Sequence, residues 1–238
     1  MEHERGCALT VKAVLFDLGG TLTTLWVLED TFGGILASLG INRSREEVKE
    51  AISKAWKDFD APEYDSMYGK VSYDEFWDLW RSFVLRHLDL GSDEGLQERI
   101  EARWHDYVGC DAYPDVKKTL AKLKRMGLRI GLVSIAYEED VWAILKKAGL
   151  EKDVFDVIVG GNTTNATKPH QEPFTYALER LGIKPEEALF VGDDVEADYR
   201  AAERVGMEAI LIQRSENFTK ARKLRTINSL EDVFRFVS

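Results

Sequence analysis

Residues 11–24, VKAVLFDLGGTLTT, constrain this chain more than any other stretch. Apolar and β-branched residues (Val11, Ala13, Val14, Leu15, Phe16) run into one carboxylate, Asp17, and Gly19-Gly20 and a block of threonines follow. The run is too short for a helix and too apolar for an exposed loop. It predicts a strand buried on both faces, with Asp17 at its carboxyl end. Open α/β sheets place their chemistry at that end. An aspartate there can also simply cap the next turn. Here the glycines let backbone come close to a ligand, and Thr21, Thr23 and Thr24 offer hydroxyls beside it.

The remainder of the chain alternates. Residues 128–134 (LRIGLVS), 154–159, 188–191 and 208–212 read as further buried strands. Helices are expected at 138–147, 173–181 and 195–205, after one that starts near Pro114 and ends at Gly127, with a terminal helix at 230–237. Strands alternating with helices imply an α/β fold, a Rossmann-like doubly wound parallel sheet with right-handed crossovers. Between the first strand and the rest, residues 28–107 carry helical periodicity. Ser44-Arg-Glu-Glu47 and Ser72-Tyr-Asp-Glu75 read as capping boxes, a turn-rich stretch spans 60–70, and a last helix is expected over 92–107. This insert holds five of the six tryptophans: Trp26, Trp56, Trp77, Trp80 and Trp104. Aromatic stripes at helical spacing are more often core than binding site, yet an insert so placed is typically a lid or cap. The expected division is a core of residues 1–25 and 108–238 and an all-helical cap of residues 26–107.

Composition narrows the partners. A formal net charge of −10 argues against a nucleic-acid binder, since phosphate affinity needs clustered Lys and Arg. No apolar stretch reaches the roughly 20 residues needed to span a bilayer, and residues 1–12 lack the apolar centre of a signal peptide, so a cytoplasmic protein with no membrane partner is expected. Cys7 and Cys110 lie far apart without Cys/His spacing, which leaves no disulfide or zinc framework. No oligomeric state follows from the pattern.

The first strand and loop resemble motif I of the haloacid dehalogenase superfamily, a strand followed by Asp-x-Asp-Gly-Thr in which the first Asp is the nucleophile. Asp17, Gly20 and Thr21 match; the second Asp is Gly19 here. Three further stretches match in chain order: Ser134 after the second strand, Lys168-Pro169, and the acidic Gly192-Asp-Asp-Val-Glu-Ala-Asp198 after the fourth. Each alone has an ordinary reading, as a turn residue, a solvated charge or helix N-caps. Together they fall at strand ends of one sheet.

Asp17, Asp193 and Asp198 cannot share a small pocket as three anions without a cation, and hard oxygen ligands suit Mg²⁺. The resemblance implies Asp17, Asp193 and the carbonyl of Gly19 as ligands, with Asp194 or Asp198 direct or through water. It further implies the fourth strand beside the first, a helical cap over the site, and a phosphatase of small phosphorylated metabolites working through an aspartyl-phosphate on Asp17. Lys168 would hold Asp17 and the phosphoryl oxygens, while Ser134 and the backbone N–H groups near Gly19–Thr21, Gly20 and Thr21 among them, would donate to those oxygens. In this family the second Asp protonates the leaving oxygen, which Gly19 cannot do. A cap residue (His87, His105, Glu29 or Asp30) could replace it, the leaving group could need little acid, or catalysis could be weak. The alternatives are a 2-haloacid dehalogenase-like enzyme, in which the same Asp attacks carbon without metal, and a catalytically weak Mg²⁺- or phosphate-binding protein.

Overall fold

Strand β1 (Ala13–Phe16) lies in the middle of the molecule with every side chain buried. Val14 and Phe16 face one hydrophobic layer, Ala13 and Leu15 the other, so the strand belongs inside a sheet covered on both sides. The structure is a computed structural model in which residues 11–59, 67, 70–91, 94–214 and 224–237 are described. β2 (Arg129–Val133), β3 (Val157–Val159), β4 (Ala188–Gly192), β5 (Glu208–Ile212) and β6 (Thr226–Ile227) complete a six-stranded sheet in the order β3-β2-β1-β4-β5-β6. All neighbouring pairs are parallel. The fold is the expected Rossmann-like α/β sheet, and the fourth strand does lie beside the first.

Helices α5 (Val116–Arg125) and α6 (Glu138–Lys147) cover the Val14/Phe16 face through Leu120, Leu123, Val141 and Leu145. α7 (Glu172–Leu181) and α8 (Ala201–Arg204) cover the other face through Phe174, Leu178, Ala201 and Ala202. Each large apolar side chain so buried contributes about 1.5–3 kcal/mol. Phe16 is level with Leu132 of β2 on one side and Val191 of β4 on the other. Asp17, Ser134 and Asp193 therefore leave the sheet at one end, next to the point where the strand order reverses.

Between β1 and α5 the described elements are all helical: α1 (Leu28–Ser38), α2 (Arg45–Phe59), α3 (Tyr73–His87), α4 (Glu94–Glu101) and a 3₁₀ turn, Trp104–Tyr107. Both capping boxes form. Ser44 and Glu47 exchange bonds, the Ser44 N–H donating to Glu47 Oε2 at 2.7 Å and the Glu47 N–H to Ser44 Oγ at 3.2 Å; Ser72 and Glu75 do the same. Each N-cap contributes about 1 kcal/mol. The helices enclose a core of their own in which Trp80 and Trp104 are fully buried beside Phe32, Leu36 and Val84. Trp77, Trp80 and Trp104 are thus core, with Trp26 and Trp56 partly buried against it.

Several elements differ from the sequence expectation. The helix expected over 92–107 is broken into α4 and the 3₁₀ turn, and the strand expected from 154 begins as a 3₁₀ turn, Lys152–Val154. The helix expected over 195–205 starts as a wide π turn, Val195–Arg200. That turn carries the side chain of Asp198 inward, a use typical of such turns at functional sites. The C-terminal helix is a 3₁₀ segment, Leu230–Arg235, capped by Ser229. β6 is two residues long, too short to leave a periodic signal. Cys7, most of the turn-rich stretch 60–70 and the start of the 92–107 helix lie outside the described residues; Cys110 is a buried free thiol. Among the described residues no helix is long and apolar enough to cross a membrane.

Candidate active site

Lys168 organises the site. Its side chain, arriving from the loop that precedes α7, is buried, and its Nζ donates to Asp17 Oδ1 at 2.7 Å and to Asp198 Oδ1 at 2.6 Å. Asp198 Oδ2 accepts the backbone N–H groups of Asp193 and Asp194, both at 3.1 Å. The π turn is therefore tied to the loop after β4 and, through Lys168, to β1. Gly192 is required beneath this arrangement, since a Cβ there would stand 2.3 Å from Asp198 Oδ2.

With all three carboxylates ionised, Lys168 leaves the cluster two positive charges short. Burial lifts the Asp17 carboxyl above the usual carboxylate range, Lys168 draws it back, and Asp198 lifts it again, leaving it raised. Burial and then the charges of Asp17 and Asp198 push Asp193 up to about 7. Burial works against the Lys168 ammonium, but Asp17 and Asp198 more than reverse this, so it stays charged. Asp17, Asp193 and Asp198 each present a ligand atom within 4.8 Å of one another, and Asp17 Oδ2 is buried with no hydrogen-bond partner. An all-oxygen set with an orphaned carboxylate oxygen and raised carboxylate pKa values fits a hard divalent cation.

The other expected residues divide. Gly20 has φ +81°, and a Cβ there would lie 2.2 Å from Asp193 Oδ2, so this turn takes glycine and brings backbone against the acidic loop. Its N–H donates to the Thr23 carbonyl at 2.7 Å and is spent on the turn. Thr21 Oγ1 is buried without a partner. Thr23 and Thr24 serve the chain itself: Thr23 Oγ1 reaches the Leu18 carbonyl at 3.4 Å and Thr24 Oγ1 accepts the Asp111 N–H at 3.0 Å. Ser134 is buried, with its Oγ accepting the Ala136 N–H at 3.1 Å. Asp194 is not one of the three clustered carboxylates; exposed, it caps the following turn by accepting the N–H groups of Glu196 and Ala197 at 2.8 and 2.7 Å.

A cavity of about 320 Å³ opens over Asp17, Lys168, Ser134 and Asp193. None of the four cap candidates lines it. Glu29 and Asp30 pair with Arg45, His87 bonds Asp58 at 2.8 Å, and His105 bonds Asp140 at 3.1 Å. Sequence reasoning missed Arg214, which follows β5. Its guanidinium donates twice to the Thr21 carbonyl, at 3.1 and 2.6 Å, grips both oxygens of Asp115, and lies over the Tyr113 ring at 4.1 Å. It holds the turn after β1 from behind. An arginine placed directly after a buried strand, at the sheet end that carries Asp17, was the available signal.

A family model described as haloacid dehalogenase-like hydrolase matches residues 11–206. A glyceraldehyde 3-phosphate phosphatase of Methanopyrus kandleri is 29% identical over 214 residues, covering 87% of this chain and 85% of that protein. An (S)-2-haloacid dehalogenase 4A of Burkholderia cepacia is 27% identical over 234 residues and covers 94% of each. Among solved structures, a HAD phosphatase from Thermococcus onnurineus superposes with a TM-score of 0.65 at 28% identity, over 96% of this chain and 98% of that one.

Proposed function

Because the chain belongs to the haloacid dehalogenase-like hydrolase family, we propose that it is a Mg²⁺-dependent phosphatase of small phosphorylated metabolites, with Asp17 as the nucleophile. The observation that carries this reading is the buried Asp17–Lys168–Asp198 ion pair set beside Asp193, which leaves one oxygen of Asp17 without a partner. Residues 1–25 and 108–238 would be the catalytic core, and the helical residues 26–107 the cap.

Asp17 and Asp193, with the Gly19 carbonyl, would hold the metal, while Asp198, whose oxygens already accept three hydrogen bonds, holds Lys168 and the loop. When bound, Mg²⁺ supplies the positive charge that lets a carboxylate and a phosphate meet. Lys168 keeps Asp17 ionised and aimed. Asp17 would then attack phosphorus, forming an aspartyl-phosphate as the P–O bond to the alcohol breaks and the alcohol leaves with a proton from solvent. The hydroxyls of Ser134 and Thr21 and the N–H groups of Gly19 and Thr21 would donate to the phosphate oxygens. Water afterwards releases phosphate and restores Asp17.

The relatives named as phosphatases support a phosphate substrate. The dehalogenase relative keeps the metal-free reading in view, but such an enzyme has little use for Asp193 beside Asp17 and Asp198. Phosphate release from para-nitrophenyl phosphate, phosphosugars and acyl phosphates decides between them: activity is expected with Mg²⁺ and lost in excess EDTA. Undiminished release in EDTA would remove the metal from the mechanism, and halide release from 2-haloacids would favour the alternative.

Gly19 offers a second test. A Cβ there meets only Leu25 Cδ2, at an ordinary 3.6 Å, so Gly19→Asp is sterically open. The new carboxyl should speed hydrolysis of alkyl phosphates, by up to about 10²–10⁴-fold if it works as a general acid, and do little for para-nitrophenyl phosphate. Equal changes in kcat/KM on both would assign Gly19 to backbone shape instead.

A further inference from the structure

We propose that the substrate is an aryl phosphate, the phosphate monoester of a phenol-type alcohol with an apolar ring. This rests on the phosphatase reading above and names its leaving group. Two separate features of the cavity lead to it, one concerning protons and the other its walls.

An alkyl ester must expel an alkoxide, which needs a proton as the P–O bond breaks. A phenoxide, whose parent acid ionises near pH ~10, leaves with far less help. The titratable groups lining the cavity are Asp17, Lys168, Asp193, Asp194 and Asp198. Three of these form the buried ion pair, Asp193 belongs to the carboxylate cluster, and Asp194 caps a turn. Gly19 stands where an acid would, and the nearby acids and histidines of the helical segment are paired elsewhere. Among the described residues, no acid other than those of the carboxylate cluster and the turn-capping Asp194 lines the cavity where a leaving oxygen would sit.

The walls are apolar. Among the described residues four large hydrophobic side chains are strongly exposed, and two of them, Leu25 at 63% and Ile135 at 49%, line this cavity from the loops after β1 and β2. Trp26 adds an aromatic face that is held in place: its Nε1 donates to Thr31 Oγ1 at 2.7 Å, Thr31 donates to the Tyr107 carbonyl at 2.9 Å, and the ring packs on Trp104 at 5.5 Å. A fixed indole in the same cavity as two exposed aliphatic side chains suits a flat apolar ring. Among the described residues Lys168 is the one cation lining the cavity, and both its ion-pair partners are carboxylates. A carboxylate or second phosphate on the leaving group would meet Asp193 and Asp194 with nothing to offset it.

The chemistry balances without further reactants. An oxygen of Asp17 bonds to phosphorus as the P–O(aryl) bond breaks, and the electron pair departs on the phenoxide, which takes its proton from solvent. Water then attacks phosphorus and the bond to Asp17 breaks. Inorganic phosphate leaves with the water oxygen, the surplus proton passes to solvent, and Asp17 is again a carboxylate.

The test compares kcat/KM for phenyl phosphate, ring-substituted phenyl phosphates, glycerol 2-phosphate and phosphoglycolate, all in Mg²⁺. Phenyl phosphate should lead the two alkyl esters by at least about a hundredfold, the lower end of what a missing general acid is worth. Rates should also rise as the ring substituent makes the phenol more acidic. Leu25→Ser combined with Ile135→Ser, both at exposed positions, should raise KM for phenyl phosphate about tenfold, a modest loss for apolar pocket contacts. Alkyl esters turned over as fast as phenyl phosphate, or an unchanged KM in the double variant, would overturn the aryl assignment and leave the phosphatase reading standing. Phosphate release from none of the esters would overturn both.

Discussion

Asp17→Asn should give a folded protein whose turnover is lower by at least about 10⁴-fold, because an amide cannot take over a covalent role. The same substitution should raise the melting temperature in EDTA at pH 8. In the metal-free protein Asp17 is a buried anion beside Asp193 and Asp198, and burial together with Asp198 outweighs Lys168 and holds its carboxyl above the usual range. A carboxyl whose folded pKa is raised binds its proton more tightly folded than unfolded. Its stabilising effect is complete at low pH and is lost as pH rises through the folded value, which for Asp193 is about 7. The parent should therefore lose stability between about pH 4 and 7 without metal and regain it with Mg²⁺, whereas the variant should lose less. More than a few per cent of parental rate in a rigorously purified variant would exclude Asp17 as nucleophile.

Lys168→Met should be costly in both stability and rate. It removes the partner of two buried carboxylates while keeping the volume of the side chain, and uncompensated buried charge of this kind costs about 3–5 kcal/mol. At roughly 2–4 °C per kcal/mol for a chain of this size, the melting temperature should fall by about 6–20 °C. Turnover should fall by about 10²–10³-fold with the loss of a positioned cation. Mg²⁺ should recover more stability in the variant than in the parent, since it opposes the same excess negative charge. A variant as stable as the parent in EDTA would mean that the ion pair is dispensable to the fold.

Much of the site was legible because its elements mark their own strand ends. Asp17, Ser134 and the acidic run from Asp193 each follow a short apolar stretch, and the unbroken apolar run Ala13–Phe16 announces a strand covered on both faces. Both capping boxes were equally visible, since four residues suffice to build one. Local patterns misled where a tertiary contact overrode them. Residues 195–205 have helical spacing, yet the demand that Asp198 turn toward Lys168 opens the first turn. Asp194 has the right residue type for a ligand, but as the residue before that turn it caps the turn's N–H groups.

What the sequence determined by itself is the fold class, the buried strands and the set of residues at their ends, because each depends on hydrophobic periodicity over a few neighbours. The tertiary structure alone decided which of those residues meet. Lys168 reaches Asp17 across 151 positions and Arg214 reaches the Thr21 carbonyl across 193, and no local pattern encodes such pairs. It likewise decided that the helical segment lends the cavity Trp26 while Glu29, Asp30, His87 and His105 bond elsewhere. The physical reason is common to both: a side chain's partner is set by how packed layers bring strand ends and loops together, and that follows from the order of the sheet.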